Sequence, residues 1–161
     1  MARRWKKKNS WKQVLTVGLV IVVALAGIVG HAKLVDDDHT VLSTAFAKGN
    51  LVNGLYVESE EHIYLKDEIA VNNLKIERDF DANVTYKIVF YDENKDFLAE
   101  TASLDANWNI KDHESDFAAD GTFEGAEYAR IVIEPIDDEN GQISTLEVVQ
   151  YASQLTITYT K

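Results

Sequence analysis

Trp108 is the aromatic side chain of this sequence best suited to stack on a sugar. It lies between Asn107 and Asn109 in a stretch without a regular hydrophobic period. An indole face packs against the apolar side of a pyranose, and neighbouring amides can hydrogen-bond its hydroxyls. We therefore predict ligand contacts from Trp108, Asn107 and Asn109, with Tyr56 and Tyr64 as weaker versions of the same idea. The alternative is that Trp108 folds back over one end of the domain, as large aromatic residues often do.

Carboxylate and amide oxygens gather in two turns, and these are the ligands that calcium prefers. The predicted calcium site is the turn formed by Asp137, Asp138, Glu139 and Asn140. The segment Asp92-x-Asn94-x-Asp96 matches the opening of an EF-hand loop, but Phe97 stands where that loop requires glycine. We therefore interpret residues 92–96 as a solvated hairpin turn, and calcium at residues 137–140 is the one possible cofactor.

No pattern in the sequence assigns an enzymatic reaction. The four histidines lack the spacing of a metal site, and the chain has no cysteine to act as a nucleophile or thiolate ligand. Neither the glycine motifs that cradle nucleotides nor the G-x-S-x-G motif of hydrolases occurs. The 27 acidic residues form many candidate pairs for glycosidase chemistry without selecting one. The sequence contains no catalytic constellation, so we predict no enzyme.

Charge divides the chain into three zones. Residues 1–12 carry six positive charges and no acid, residues 13–32 carry no charged side chain, and the remainder holds all 27 acidic residues. A helix over the 20 uncharged residues would be about 30 Å long, which is the thickness of bilayer hydrocarbon. Because basic residues flank the cytoplasmic side of such helices, the sequence predicts a cytoplasmic tail (1–12), a transmembrane helix or signal anchor (13–32) and an extracellular domain.

The same N-terminal pattern is compatible with a cleaved secretory signal, and both interpretations export the acidic domain. The uncharged run is longer than an ordinary signal core, which favours the retained single-pass anchor. Ala26 and Gly30 form a small-xxx-small pair through which two anchors could associate as an oligomer. The net charge of −11 argues against nucleic acid as a partner.

Alternation of apolar and polar residues replaces the uncharged run after Lys33. The alternation is clearest at Val84–Tyr91 and Gln154–Thr160, and no segment in this part shows a convincing helical period. The predicted strands are Val41–Phe46, Leu55–Val57, Ile63–Leu65, Leu74–Ile76, Val84–Tyr91, Phe97–Thr101, Tyr128–Ile133 and Gln154–Thr160. We expect an all-β domain, a jelly-roll-like antiparallel β-sandwich over residues 41–161, joined to the anchor by a stalk at residues 33–40.

Two segments resemble strands of galactose-binding-like and carbohydrate-binding-module-like jelly rolls. They are YKIVFYDENKDFLAET (Tyr86 to Thr101) and AEYARIVIEP (Ala126 to Pro135). The layout of a basic tail, one apolar helix and a segment such as STAFAKGNL (Ser43 to Leu51) is similar to short anchored proteins of Gram-positive bacteria and their prophages. The resemblance implies an exported β domain, and the jelly-roll modules often bind sugars, with a structural calcium ion.

The function expected from these features is an anchored interaction module that binds a glycan or a protein at an envelope or virion surface. One alternative is a structural subunit of a surface fibre or phage-associated assembly, and another is a secreted soluble domain released by signal cleavage. The acidic exported part disfavours acidic polymers, so a neutral glycan or a basic protein surface is the expected partner, with the membrane held through residues 13–32.

Overall fold

The computed structural model describes residues 37–136 and 143–161, which belong to one compact unit, Asp37–Lys161. Twelve strands in this part of the chain pair only in antiparallel fashion. They are β1 (Asp38–Thr40), β2 (Phe46–Lys48), β3 (Asn50–Val52), β4 (Leu55–Val57), β5 (Ile63–Leu65), β6 (Ile69–Ala70), β7 (Lys75–Arg78), β8 (Val84–Tyr91), β9 (Phe97–Glu100), β10 (Trp108–Asn109), β11 (Tyr128–Pro135) and β12 (Leu155–Thr160). The helices are α1 (Glu114–Phe117) and α2 (Thr145–Ala152), with 3-10 turns at Ser43–Ala45 and Ile110–His113.

Two sheets make up most of the domain. The smaller has the strand order β1-β12-β7-β10, and the larger has the order β2-β5-β11-β8-β9, with β6 also paired to β11. The two eight-residue strands β8 and β11 pair along their whole length at the centre of the larger sheet. A separate two-stranded ribbon, β3–β4, completes the described strands.

The main core lies between the two sheets. It receives Ile88, Phe90, Ile131 and Ile133 from the larger sheet and Ile157 from the smaller, and each is at most 1% exposed. Alternation along the predicted strands places such residues on one side of each strand, and the structure shows that this is the buried side. Because both sheets contribute to one apolar layer, the domain has the all-β, sandwich-like character expected from the sequence.

A second cluster lies on the opposite, outer face of the larger sheet. It contains Leu51, Val89, Tyr91 and Val132, which are between 0% and 4% exposed. Val89, Tyr91 and Val132 belong to the central strands, whereas Leu51 comes from the β3–β4 ribbon. The ribbon therefore covers the middle of the outer face and seals a second apolar layer.

Several local elements differ from the prediction. Residues 38–40 of the predicted stalk form strand β1 beside β12, and the predicted strand Val41–Phe46 is a 3-10 turn followed by a strand that begins at Phe46. Helix α2 was not expected, because its two turns are too short for a helical period to emerge from the sequence. Its sequence signature is a capping box, in which Ser144 accepts from the Glu147 N–H while the Glu147 carboxylate accepts from the Ser144 N–H.

The predicted transmembrane helix at residues 13–32 lies outside the described residues, as does the basic tail. Among residues 37–136 and 143–161, no helix is long and apolar enough to cross a membrane.

Candidate functional site

The structure buries Trp108 in the core instead of presenting it to a ligand. Only 4% of its surface is exposed, and its indole stacks on the His113 ring with 5.1 Å between centroids and 13° between planes. Its ring also lies 6.2 Å from that of Phe90. A buried indole has no free face for a pyranose, so the structure does not support the predicted stacking role, and Trp108 packs inward as the alternative interpretation proposed.

The flanking amides are occupied by backbone groups. Asn107 Oδ1 accepts a hydrogen bond from the Arg78 N–H at 2.8 Å, which joins the loop to β7. Asn109 Oδ1 accepts from the Lys111 N–H at 3.1 Å and caps the 3-10 turn that follows. Both amides therefore have a structural role, since short polar side chains commonly satisfy backbone donors at turns.

The predicted calcium ligands Asp137, Asp138, Glu139 and Asn140 lie outside the described residues. Elsewhere in the described ranges, no three His, Asp or Glu side chains lie close enough to hold a metal ion. The other acidic turn forms the predicted hairpin between β8 and β9. Asp92 Oδ1 accepts from the N–H groups of Asn94 at 2.8 Å and Asp96 at 2.9 Å, which is an Asx turn.

Packing against the larger sheet explains one side of the β3–β4 ribbon but not its exposed apolar side chains. Its turn residues Asn53 and Gly54 have φ values of 48° and 75°, the left-handed conformations of a tight two-residue hairpin. Burial raises the pKa of Tyr91, whose hydroxyl stays protonated and donates to the Gly54 carbonyl at 3.1 Å. The tip of the ribbon is thereby fastened to the sheet beneath it.

The base of the ribbon is fixed by aromatic packing. The rings of Tyr56 and Tyr64 lie 5.4 Å apart, and the Arg130 guanidinium lies 5.0 Å from the centre of the Tyr64 ring. Arg130 also donates to the carbonyls of Leu65 and Lys66 at 2.9 and 2.6 Å, which holds it against the ring. The structure thus brings together the two weaker aromatic candidates of the sequence, whose rings pack on each other.

The solvent side of the ribbon carries three aliphatic side chains beside the polar Asn50, and we name Val52, Leu55 and Val57 the display face. They are 46%, 72% and 45% exposed, and strand alternation places them on the opposite side from Leu51, which is fully buried against the sheet. Tyr56 is also on that opposite side, where its ring packs on Tyr64 but stays partly exposed. The outward side of an antiparallel ribbon is ordinarily polar. Clustered apolar side chains on a well-held surface mark an interaction site more often than scattered ones do.

Exposed carboxylates follow the ribbon in the sequence at its base and occupy the turn that precedes Phe97 at its tip. Glu58 and Glu61 are exposed just after β4, and Glu93 and Asp96 are exposed in the turn that leads to Phe97, against which the tip lies. We name these four residues the carboxylate rim.

Two lysines close to these segments in the sequence are already paired with other carboxylates. Lys48 binds Glu60, and Lys95 lies 3.3 Å from Glu68. Burial of Glu68 favours its neutral form, but a backbone hydrogen bond and the charges of Lys95 and Arg130 outweigh this and lower the pKa of its carboxyl. The ribbon surroundings are therefore acidic.

A Ser–His–carboxylate contact occurs beside the ribbon. Ser59 Oγ lies 2.9 Å from His62 Nδ1, and His62 Nε2 lies 3.7 Å from Glu134 Oε1. Glu134 Oε2 accepts from the hydroxyls of Ser103 at 3.2 Å and Thr85 at 3.4 Å. The network ties the connection between β4 and β5 to the central strands.

Electrostatics argue against nucleophilic catalysis by Ser59. Its hydroxyl also accepts from the Glu61 N–H at 3.2 Å, and two carboxylates, Glu60 and Glu61, follow it directly. Acyl transfer requires donors that stabilise a developing oxyanion, and adjacent negative charge does the opposite. The 3.7 Å separation between His62 and Glu134 is also beyond hydrogen-bond distance. We assign this network a structural role.

Comparison with known proteins assigns the chain to no family. No protein-family model matches it, and no curated protein or solved structure is significantly similar to it. The fold and the ribbon surface therefore carry the functional argument. Strand β4 has the predicted bounds, but its partner β3 and the hairpin they form were not predicted, although Asn53-Gly54 between two short apolar runs is a strong hairpin signature.

Proposed function

We propose that this protein is a membrane-anchored, exported binding module with a jelly-roll-like sandwich, and that its display face docks a partner protein. The observation that carries the proposal is the exposure of Val52, Leu55 and Val57 on one side of a ribbon that is clamped to the sheet on its other side. A rigid surface loses little conformational entropy on binding, so an apolar patch of this kind favours association.

The chemistry of the display face favours a protein over a glycan. Its side chains are aliphatic, whereas sugar recognition relies on an open aromatic face surrounded by polar groups. Tyr56 is 56% exposed, but its ring packs on Tyr64, and Trp108 is buried. Removing aliphatic surface from water contributes roughly 25 cal/mol per Å², which only an apolar partner surface can exploit.

Export is supported by the order of the charge zones. The basic residues 1–12, the uncharged residues 13–32 and the acidic remainder follow one another along the chain. A helix over the middle zone with the basic residues on the cytoplasmic side would hold the domain outside the cell. On this arrangement the display face meets partners at the envelope surface.

The test is a selection of peptide ligands against the full chain held in lipid nanodiscs. A displayed peptide library is selected on the wild type, and the selected peptides are then measured on Leu55→Glu, which places a charge in the display face. Phe80→Glu is the matched control, because Phe80 is fully exposed elsewhere on the domain. We expect peptides that bind the wild type and the control and lose affinity for Leu55→Glu.

A glycan array probed with the same nanodiscs provides the competing outcome. A protein-docking role would be refuted by two results together: the wild type and Leu55→Glu bind the same glycan equally, and no selected peptide loses affinity for Leu55→Glu. Assembly of the wild type into fibres that Leu55→Glu disrupts would favour the structural alternative instead.

A further inference from the structure

We infer that the open edge of β4 accepts an extended segment of a partner protein as a third strand, and that this segment alternates aliphatic with basic side chains. The inference rests on the proposed function and specifies how the partner binds. It depends on three features of the ribbon: its hydrogen-bonding edge, its display face and its carboxylate rim.

The register of the ribbon fixes which backbone groups face outward. Val52 and Leu55 flank a two-residue turn and therefore form a hydrogen-bonded pair, which leaves the next pair, Leu51 and Tyr56, with N–H and C=O groups directed away from the ribbon. On the β3 side, the Leu51 N–H is satisfied by Asn50 Oδ1 at 2.7 Å. The outward groups of Tyr56 on the β4 side remain available.

The β4 edge is unpaired in the part of the chain that the structure describes. β4 pairs with β3 alone, and none of its backbone groups bonds to another described element. An unpaired edge is a template for a further strand, and edges that proteins protect are usually short, charged or covered. This edge is short, but the side chains Leu55 and Val57 beside it are apolar, which favours pairing over protection.

The surrounding charge selects a basic partner. The carboxylate rim follows the base of the ribbon and precedes Phe97 at its tip, and Lys48 and Lys95 are engaged by Glu60 and Glu68. An added strand would direct alternate side chains to one side, where aliphatic residues continue the display face, while Lys or Arg residues reach the rim. A second copy of this chain would oppose rim to rim and repel, given a net charge of −11.

The test uses synthetic peptides of alternating lysine and valine, titrated against the isotopically labelled full chain in nanodiscs and followed by backbone amide signals. Two further peptides carry N-methyl groups on the lysines only or on the valines only. An added strand turns one of these two sets of N–H groups toward β4 and the other toward solvent. We expect one methylated peptide to lose about tenfold or more in affinity and the other to bind as the parent does.

Two controls test the remaining features. A peptide of alternating glutamate and valine should not bind. The double substitution Glu58→Gln and Glu61→Gln should weaken binding of the lysine–valine peptide, whereas Glu124→Gln, at an exposed acid far along the chain, should leave that binding unchanged. The amide signal of Tyr56 should shift on binding.

The outcomes separate this inference from the proposed function. Three results would each overturn the strand-addition inference. The two methylated peptides could bind with equal affinity, the glutamate–valine peptide could bind as tightly as the lysine–valine peptide, or none of the peptides could bind. The library selection would still decide the proposed function, because its ligands need not be extended or basic. Binding that Leu55→Glu abolishes but methylation leaves intact would indicate docking through side chains alone.

Discussion

Gly49 is the single residue on which the placement of the ribbon most depends. It precedes β3 with φ +130°, a conformation that side-chain-bearing residues rarely adopt, and a Cβ there would overlap the Tyr56 ring and lie 3.0 Å from that of Tyr64. Gly49→Ala should therefore destabilise the domain by about 3 kcal/mol and displace Tyr56. Chemical denaturation measures the first effect, and amide signals of residues 50–57 measure the second.

Gly125→Ala separates backbone strain from ring overlap. Gly125 also has a positive φ, +78°, but a Cβ there meets no atom within 4 Å. It should cost about 1 kcal/mol and leave the ribbon signals unchanged. Equal effects of the two substitutions would show that the Tyr56 ring yields easily and that the base of the ribbon is not rigid.

Trp108 gives a second prediction for a single side chain. Because it is buried beside Phe90 and His113, Trp108→Ala should reduce the free energy of unfolding by about 3–5 kcal/mol. Trp108→Phe keeps most of the apolar volume and should cost clearly less. Denaturant titration of both variants checks the order, and a Trp108→Ala variant of wild-type stability would contradict the burial.

The sequence could not assign the roles of Trp108, Asn107 and Asn109, for a physical reason. An amide that reads a sugar and an amide that caps a turn occupy the same kinds of segment, because both need a short polar side chain next to irregular backbone. Only tertiary contacts distinguish them, and here the acceptors face Arg78 and Lys111. Inward positions such as Ile88 and Ile131 were predictable, since strand alternation alone places them.

Among the secondary-structure elements, helix α2 depends on its capping box. Ser144→Ala removes the side-chain acceptor for the Glu147 N–H and should destabilise the domain by about 1 kcal/mol. Thermal unfolding followed by circular dichroism measures the loss. Ser153→Ala at the other end of the helix is the control, and an equally large effect there would contradict a role specific to the N-terminal cap.

The same cap predicts a pH dependence. Hydrogen bonds from Ser144 lower the pKa of the Glu147 carboxyl, so the ionised form is favoured in the folded state. Its stabilisation is complete above the ordinary pKa of glutamate and is lost as the pH falls through the lowered pKa. The stability difference between wild type and Glu147→Gln should therefore shrink on acidification, and a difference that grows would contradict the assignment.

Length decided how strong the evidence for each element was, although the three-residue strands β4 and β5 also have the predicted bounds while β3 and α2 were not predicted. Strands β8 and β11 contain eight residues each, so their alternation is unambiguous, and the observed β8 has the predicted bounds. The ribbon strands have three residues each, and α2 has two turns. Their signatures are local, a turn dipeptide and a capping box, and short apolar runs cannot by themselves distinguish a strand from a helix.

For the entire chain, the proposed location and the proposed partner both depend on the distribution of charge. The acidic domain follows a basic and then an uncharged zone, and exposed carboxylates follow the base of its ribbon and precede Phe97 at its tip. Negative charge of this kind repels acidic envelope polymers and attracts basic surfaces at a rate that falls with salt. The proposed location outside the cell and the proposed basic partner therefore both rest on the same distribution of charge.

The topology can be tested directly because the chain contains no cysteine. Ser115→Cys places a thiol at an exposed position of the domain, and Ser10→Cys places one in the basic tail. In spheroplasts expressing the full chain, a membrane-impermeant maleimide should label Ser115→Cys at once and Ser10→Cys only after lysis, because the basic residues stay on the cytoplasmic side. The opposite pattern would refute the anchored topology. Two small-x-small sequences, Ala24-Leu25-Ala26 and Gly30-His31-Ala32, are candidate cleavage sites, so an intact mass lacking the first 26 or 32 residues would show signal cleavage and a secreted domain.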